Sequence, residues 1–223
     1  MISIADLRYR SLAIEELSIG PGITSVIGPN GSGKTTLLKL LAGIAVPEAG
    51  EIRINGKSPR ESEIGWVNEF PDRNILFGTV FDEIASPLRF RHVPCTEIAA
   101  MVETCMETLG ISTLRQRIMC DLSGGEKIMV AVAAALVHRP QVLILDEYDS
   151  HLDSARISWI EKVINNEDIP YVLRCTQQME TAARGDRIIY LGQGHVVSKG
   201  SPESVFRTLA DTPFYPLSWR CRA

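Results

Sequence analysis

The apolar and polar positions of this chain alternate between short runs of period two and longer runs of helical period. Near the N-terminus Ile2–Leu7 and Ser11–Ile19 read as strands, and a Gly20-Pro21-Gly22 turn leads to a third, Ile23–Ile27. A helix is predicted from about Gly33, with Leu37, Leu38, Leu40 and Leu41 on its buried side and Gly43 as its stop. Glu51–Ile54 followed by Asn55-Gly56 predicts a strand and a hairpin turn. The middle of the chain differs in character. There Ile98, Met101, Val102, Cys105 and Leu109 recur at helical spacing before Gly110, so roughly Thr79 to Met119 reads as a helical insertion. A helix over Glu126–His138 and an apolar strand, Val142–Leu145, follow it. A further helix from Asp153 buries Ile157, Ile160 and Ile164. Tyr171–Cys175 and Arg187–Leu191 read as strands, and Gly192-Gln193-Gly194 turns into His195–Ser198. Ser201 caps a last helix with Pro202 at its first position. Strand–helix alternation with continuous apolar strands predicts a mostly parallel, covered sheet.

Length and charge narrow the classes. The 223 residues, 45% of them hydrophobic, suffice for one large domain. A net charge of -4 argues against a surface made chiefly for nucleic acid. The apolar run that includes Val130–Val137 is far short of a membrane span, and Asp6, Arg8 and Arg10 break any signal-peptide layout. A membrane role is therefore expected only through a partner. Cys95, Cys105, Cys120, Cys175 and Cys221 are odd in number and scattered, which predicts thiols in a reducing compartment rather than disulfides or zinc. His138, His151 and His195 have no ligand spacing between them.

The candidate chemistry begins at Gly28-Pro29-Asn30-Gly31-Ser32-Gly33-Lys34-Thr35-Thr36, a GxxxxGK[ST] phosphate loop with a strand before it and a helix after it. Its glycines allow backbone N–H groups to curl around an anion, and the helix N-terminus adds partial positive charge. Lys34 can reach the β- and γ-phosphates of a nucleotide, and the Thr35 hydroxyl can hold Mg²⁺. Val142–Glu147 reads VLILDE, an apolar strand that would deliver Asp146 to the metal and Glu147 to a water near the γ-phosphate. Leu122–Glu126, LSGGE, stands just before the helix that leads to this strand. By itself it is also a capping box, with Ser123 as N-cap and Glu126 folding back.

With these three motifs in this order, the chain resembles the ABC ATPases, whose signature is LSGGQ at that place. The resemblance covers nearly the whole chain. It implies an α/β P-loop NTPase fold with a mostly parallel core, an N-terminal antiparallel β subdomain and a helical subdomain over about 79–119, the core being 1–78 and 120–223. It also implies ATP and Mg²⁺ as ligands and head-to-tail pairing of two such domains. Ser123, Gly124, Gly125 and Glu126 of one would then complete the site on the other's phosphate loop. Ser150–Asp153, SHLD, would run along that seam, and Tyr9 would stack on adenine unless it packs on a sheet edge instead. Glu69–Ile84, EFPDRNILFGTVFDEI, is similar to a segment of ATPases serving energy-coupling-factor transporters, including cobalt and nickel importers. Those work with a membrane T component and often a substrate-binding S component, taking up vitamins or metal ions. The same resemblance implies a peripheral place on the cytoplasmic face of the membrane, with a homodimer or a paralogous ATPase as partner and no nucleic acid. The groove at the helical subdomain's boundary would receive the T component.

Two positions depart from the family pattern. Glu69 stands where a Gln is usual, and Gln177 stands where a switch His is usual. Glu69 keeps an oxygen for Mg²⁺ or water but adds negative charge beside a polyphosphate. Gln177 can donate a hydrogen bond but cannot become cationic. With Glu147 present the expectation is a working but slow ATPase. The alternative is a degenerate, nucleotide-gated subunit that supports an active partner. A third class, soluble ABC proteins of DNA repair or translation, is disfavoured by the single compact domain. Arg89, Arg91 and His92 form a basic cluster that is either a solvated face or a partner contact. Phe214–Trp219 either packs back on the domain or serves a partner.

Overall fold

Parallel strands need long crossovers, and this chain supplies helices between most of them. In the computed structural model, which describes residues 1–220, the elements in chain order are β1 (Ile2–Tyr9), β2 (Leu12–Ile19), β3 (Gly22–Ile27), α1 (Lys34–Leu41), β4 (Ala49–Ile54), β5 (Ile64–Val67), α2 (Val80–Phe90), α3 (Cys95–Leu109), α4 (Gly124–Leu136), β6 (Val142–Asp146), α5 (Ser154–Asn166), β7 (Tyr171–Cys175), α6 (Met179–Ala182), β8 (Arg187–Gly192), β9 (His195–Gly200), α7 (Pro202–Thr208) and α8 (Leu217–Arg220). Six strands form one sheet in the order β5-β6-β7-β3-β8-β9. The first five run parallel and β9 closes the edge antiparallel to β8. A second, antiparallel sheet has the order β2-β1-β4. A mixed, mostly parallel core beside a small antiparallel sheet is the arrangement that the resemblance implies.

The buried side chains fall into three groups. One lies between α2, α3, α4, α5 and the sheet, centred on Ile84, Val102, Val130 and Ile160. Another fills the space between the antiparallel sheet, α1 and the opposite sheet face, with Ile4, Leu17, Leu38 and Ile144. The third gathers Ile27, Ile188 and Phe206 under the C-terminal segment. The Phe214–Trp219 tail packs back here, with ring centroids 5.5 Å apart for Tyr190 and Phe214 and 5.4 Å for Phe206 and Trp219.

Several boundaries differ from the sequence reading by a residue or two. Ser11 belongs to the β1–β2 turn, and α4 begins at Gly124 rather than Glu126 because Ser123 is its N-cap. Four elements were not read from the sequence as such: β5, the separate helix α2, and the short helices α6 and α8. In α2, Pro87 would leave the Glu83 carbonyl without its helical donor, and the Ser86 hydroxyl donates to it at 2.8 Å. Thr79 caps this helix, accepting from the Asp82 amide at 3.2 Å. The basic cluster is largely neutralised, since Arg89 pairs with Asp82 and Arg91 with Glu63. No helix among the described residues is long and apolar enough to cross a membrane. Of the cysteines, Cys175 is buried, Cys105 is half-buried and Cys95 and Cys120 are exposed, all four as free thiols; Cys221 lies outside the described residues.

Candidate phosphate-binding site

The strand order decides where the candidate residues meet. Glu69 follows β5, Asp146 ends β6 with Glu147 next to it, Gln177 follows β7, and the phosphate loop follows β3. These are adjacent parallel strands, so all four segments emerge side by side at the sheet's carboxyl edge, where open α/β sheets hold ligands. Glu69, Glu147 and Gln177 line one open cleft of about 360 Å³ together with Asn30, Gly31, Gly33, Lys34, Thr35 and Thr36, while Asp146 is not a lining residue and is tied to the cleft through Thr35. Ser11, which carried no sequence signal, lines it too, because the β1–β2 turn folds over the loop.

The loop is held open for an anion. Gly28 has φ 146°, and a Cβ there would stand 2.1 Å from the Leu191 carbonyl oxygen, so only glycine fits between β3 and β8. Gly31, at φ 78°, faces empty space. Lys34 is only 5% exposed, and its ammonium donates to the Gly28 and Pro29 carbonyls at 3.0 and 3.2 Å. The Ser32 hydroxyl is buried without a partner among the described residues. The loop is pinned from outside by the β8–β9 turn. The Gly194 amide donates to the Ser32 carbonyl at 3.2 Å, and the Ala13 amide donates to the Gly194 carbonyl at 2.8 Å. Gly194 has φ 83°, and a Cβ there would lie 1.8 Å from the Ser11 carbonyl oxygen.

The acidic side of the cleft is strained electrostatically. The Thr35 hydroxyl donates to Asp146 at 3.1 Å, joining the loop to the end of β6. Asp146 is 4% exposed, and burial pushes its pKa up to about 6; the Thr35 bond opposes this, while the charges of Glu147 and Glu69 add to it. A cation at this point would relieve that cost. The ammonium on two carbonyls, the orphaned Ser32 hydroxyl and the crowded carboxylates fit a phosphate chain with a divalent ion. Glu147 sits in left-handed backbone at φ 49°, with its amide donating to the Cys175 carbonyl at 3.0 Å. Gln177 Nε2 donates to Glu147 Oε2 at 2.8 Å, so the two meet directly.

Not every candidate is in this cleft. Ser123, Gly124, Gly125 and Glu126 are not among its lining residues. They form the predicted capping box, in which the Ser123 amide and hydroxyl both donate to Glu126 Oε2 at 2.8 Å. The Ser123 amide and then its hydroxyl hold the Glu126 carboxyl below its usual range. Gly124 is exposed with nothing near it. Tyr9 does not line the cleft either; it packs against the core between the sheets, with the Arg10 guanidinium 5.3 Å from its ring centre.

Residues 16–150 match the model of the ABC transporter family. The chain belongs to the ABC transporter family. Among curated ABC relatives, the energy-coupling factor transporter ATP-binding protein EcfA1 of Enterococcus faecalis is 33% identical over 193 residues, 82% of this chain and 69% of that protein. EcfA1 of Lactiplantibacillus plantarum is 33% identical over 221 residues, 91% of this chain and 78% of its own length. Of solved ABC structures, cbiO1 from Clostridium perfringens, described as part of the ABC transporter complex cbiONQ, aligns with a TM-score of 0.81 at 28% identity, covering 92% of this chain and 90% of that one. The ATP-binding cassette MJ0796, solved as a dimer in a post-hydrolysis state with ADP and Pi, aligns at a TM-score of 0.83 and 25% identity, over 91% of this chain and 99% of that one.

Proposed function

We propose that this chain binds MgATP in the cleft at the sheet's carboxyl edge and hydrolyses it as the ATP-binding subunit of an energy-coupling-factor type importer. The convergence of Lys34, Thr35, Glu147 and Gln177 on one cleft, with Asp146 hydrogen-bonded to Thr35, is the observation that carries this reading. The amides of Gly31–Thr36 and the Lys34 ammonium would hold the phosphates, while Tyr9, near the cleft-lining Ser11, would stack on the base once Arg10 moves aside. Thr35, Asp146 and Glu69 would hold magnesium, which when bound supplies positive charge against the β- and γ-phosphates. Glu147 would orient and deprotonate water, and Gln177 would hold that carboxylate and donate toward the γ-phosphate. The N-terminal end of α4, Ser123–Glu126, lies outside the chain's own cleft, which supports its use by a second copy or a paralogue in a closed dimer. Domain closure would be passed to membrane subunits, a T component and an S component, through the groove beside the helical subdomain at 79–119. The names of the relatives support that assignment, with a vitamin or metal ion as cargo and a peripheral position at the cytoplasmic face.

Calorimetry and phosphate release on the purified chain test this. MgATP binding is expected for the parent and for Glu147→Gln, with phosphate release at least about a hundredfold slower in the variant. Lys34→Ala should weaken MgATP binding by about a hundredfold. Absence of binding heat in the parent would refute the proposal. Binding without turnover, even with the membrane subunits that co-purify from native membranes, would favour the degenerate-subunit alternative instead.

A further inference from the structure

Arg174 stands in the middle of β7, 3% exposed, between Leu173 and Cys175 on a strand whose other residues, Tyr171 and Val172, are also buried. A buried position in a parallel sheet ordinarily takes an apolar side chain. Its guanidinium is fully engaged. Nε donates to Ser25 Oγ of β3 at 3.0 Å, one terminal nitrogen pairs with Glu161 of α5, and the other donates to the Thr181 carbonyl of α6. Glu161 also accepts the Tyr148 hydroxyl at 3.1 Å. Tyr148, fully buried, is the residue after Glu147, and α6 begins two residues after Gln177. A parallel tie runs alongside, since the Thr176 hydroxyl donates to the buried Asp149 and the Gln178 amide donates to Thr176 Oγ1 at 2.9 Å.

A buried ion pair of this kind is weak evidence for stability, because apolar side chains of similar volume often serve as well or better. What it does supply is direction: five separate segments are held to one guanidinium and one carboxylate. We propose that Arg174, Glu161 and Tyr148 form a positioning clamp that sets the turn carrying Glu147 against the turn carrying Gln177. The left-handed backbone of Glu147 needs such support, as it is disfavoured for a side chain left to itself. The consequence for hydrolysis rests on the ATPase reading above; the clamp itself does not.

The test uses the full chain in two variants. Tyr148→Phe removes only the hydroxyl, and the double variant Arg174→Met/Glu161→Leu replaces the ion pair with apolar groups. Amide exchange by NMR is expected to speed at least about tenfold at Glu147 and Gln178, whose amides close these turns, with β1 and β2 unchanged. Turnover should fall about tenfold to a hundredfold with KM for ATP unmoved, since small misplacements of reacting groups have effects of that size. Unchanged exchange at both amides in folded protein overturns the clamp, as does unchanged kcat in a parent that hydrolyses. If the parent binds MgATP yet releases no phosphate, hydrolysis is refuted and the exchange data still decide the clamp. Should the double variant fail to fold, Tyr148→Phe, which keeps the Arg174–Glu161 pair, decides it alone.

Discussion

Gln177 offers Glu147 a neutral amide nitrogen at 2.8 Å, so the contact has no titrating proton in the range where an imidazole would have one. Gln177→His is expected to raise turnover several-fold and to add a rate component that fades as pH rises through about 6.5. Phosphate release measured between pH 6 and 8 checks both, and a variant no faster than the parent removes the charge argument. At this scale the phosphate loop, Asp146, Glu147 and the Glu126 fold-back were legible because each is a local string of residues. Asp146's proximity to Thr35 is long-range, yet two recognisable motifs imply it. Arg174, Glu161 and Tyr148 were not legible, since their meaning lies in pairings across β7, α5 and the turn after β6 that no spacing announces.

Among the elements, α4 shows how the proposed signature motif and a capping box share residues. Its N-terminus is closed by Ser123 and Glu126, which frees Gly124 to stand in the open. Ser123→Ala should lower stability by about 1 kcal/mol, read from urea unfolding midpoints, as for other lost N-caps. It should leave MgATP affinity of the isolated chain unchanged, since Ser123 does not line its own cleft. Helices with long apolar periodicity and strands bounded by glycine turns were readable from sequence. β5 was not: Ile64-Gly65-Trp66-Val67 is four residues long and partly polar in its flanks, and only pairing with β6 makes it a strand. α2 was blurred by Pro87, whose disruption is repaired by a side-chain donor, Ser86, that a propensity argument does not see.

For the whole molecule, two buried groups pull stability in opposite directions over the same pH range. His138 is lowered from 6.5 to about 4, chiefly by burial and then by Arg91, so its contribution is present above pH 6.5 and is lost as pH falls toward 4. Asp146 is raised from 3.8 to about 6, chiefly by burial, so its contribution is present below pH 3.8 and is lost as pH rises through 6. Each is worth roughly 3 kcal/mol, and their slopes largely cancel. Asp146→Asn should therefore make the nucleotide-free protein more stable at pH 7 and uncover a clear loss between pH 6.5 and 4, measurable by urea unfolding at each pH. A flat profile in that variant would contradict the account. The turn Gly192-Gln193-Gly194 has a similar reach across the structure. By composition it looks like spare chain, the place to splice in a tag, a fluorophore or a foreign peptide. The amide and carbonyl of Gly194 instead rivet the small sheet to the anion loop, so a graft there is expected to loosen the grip on nucleotide.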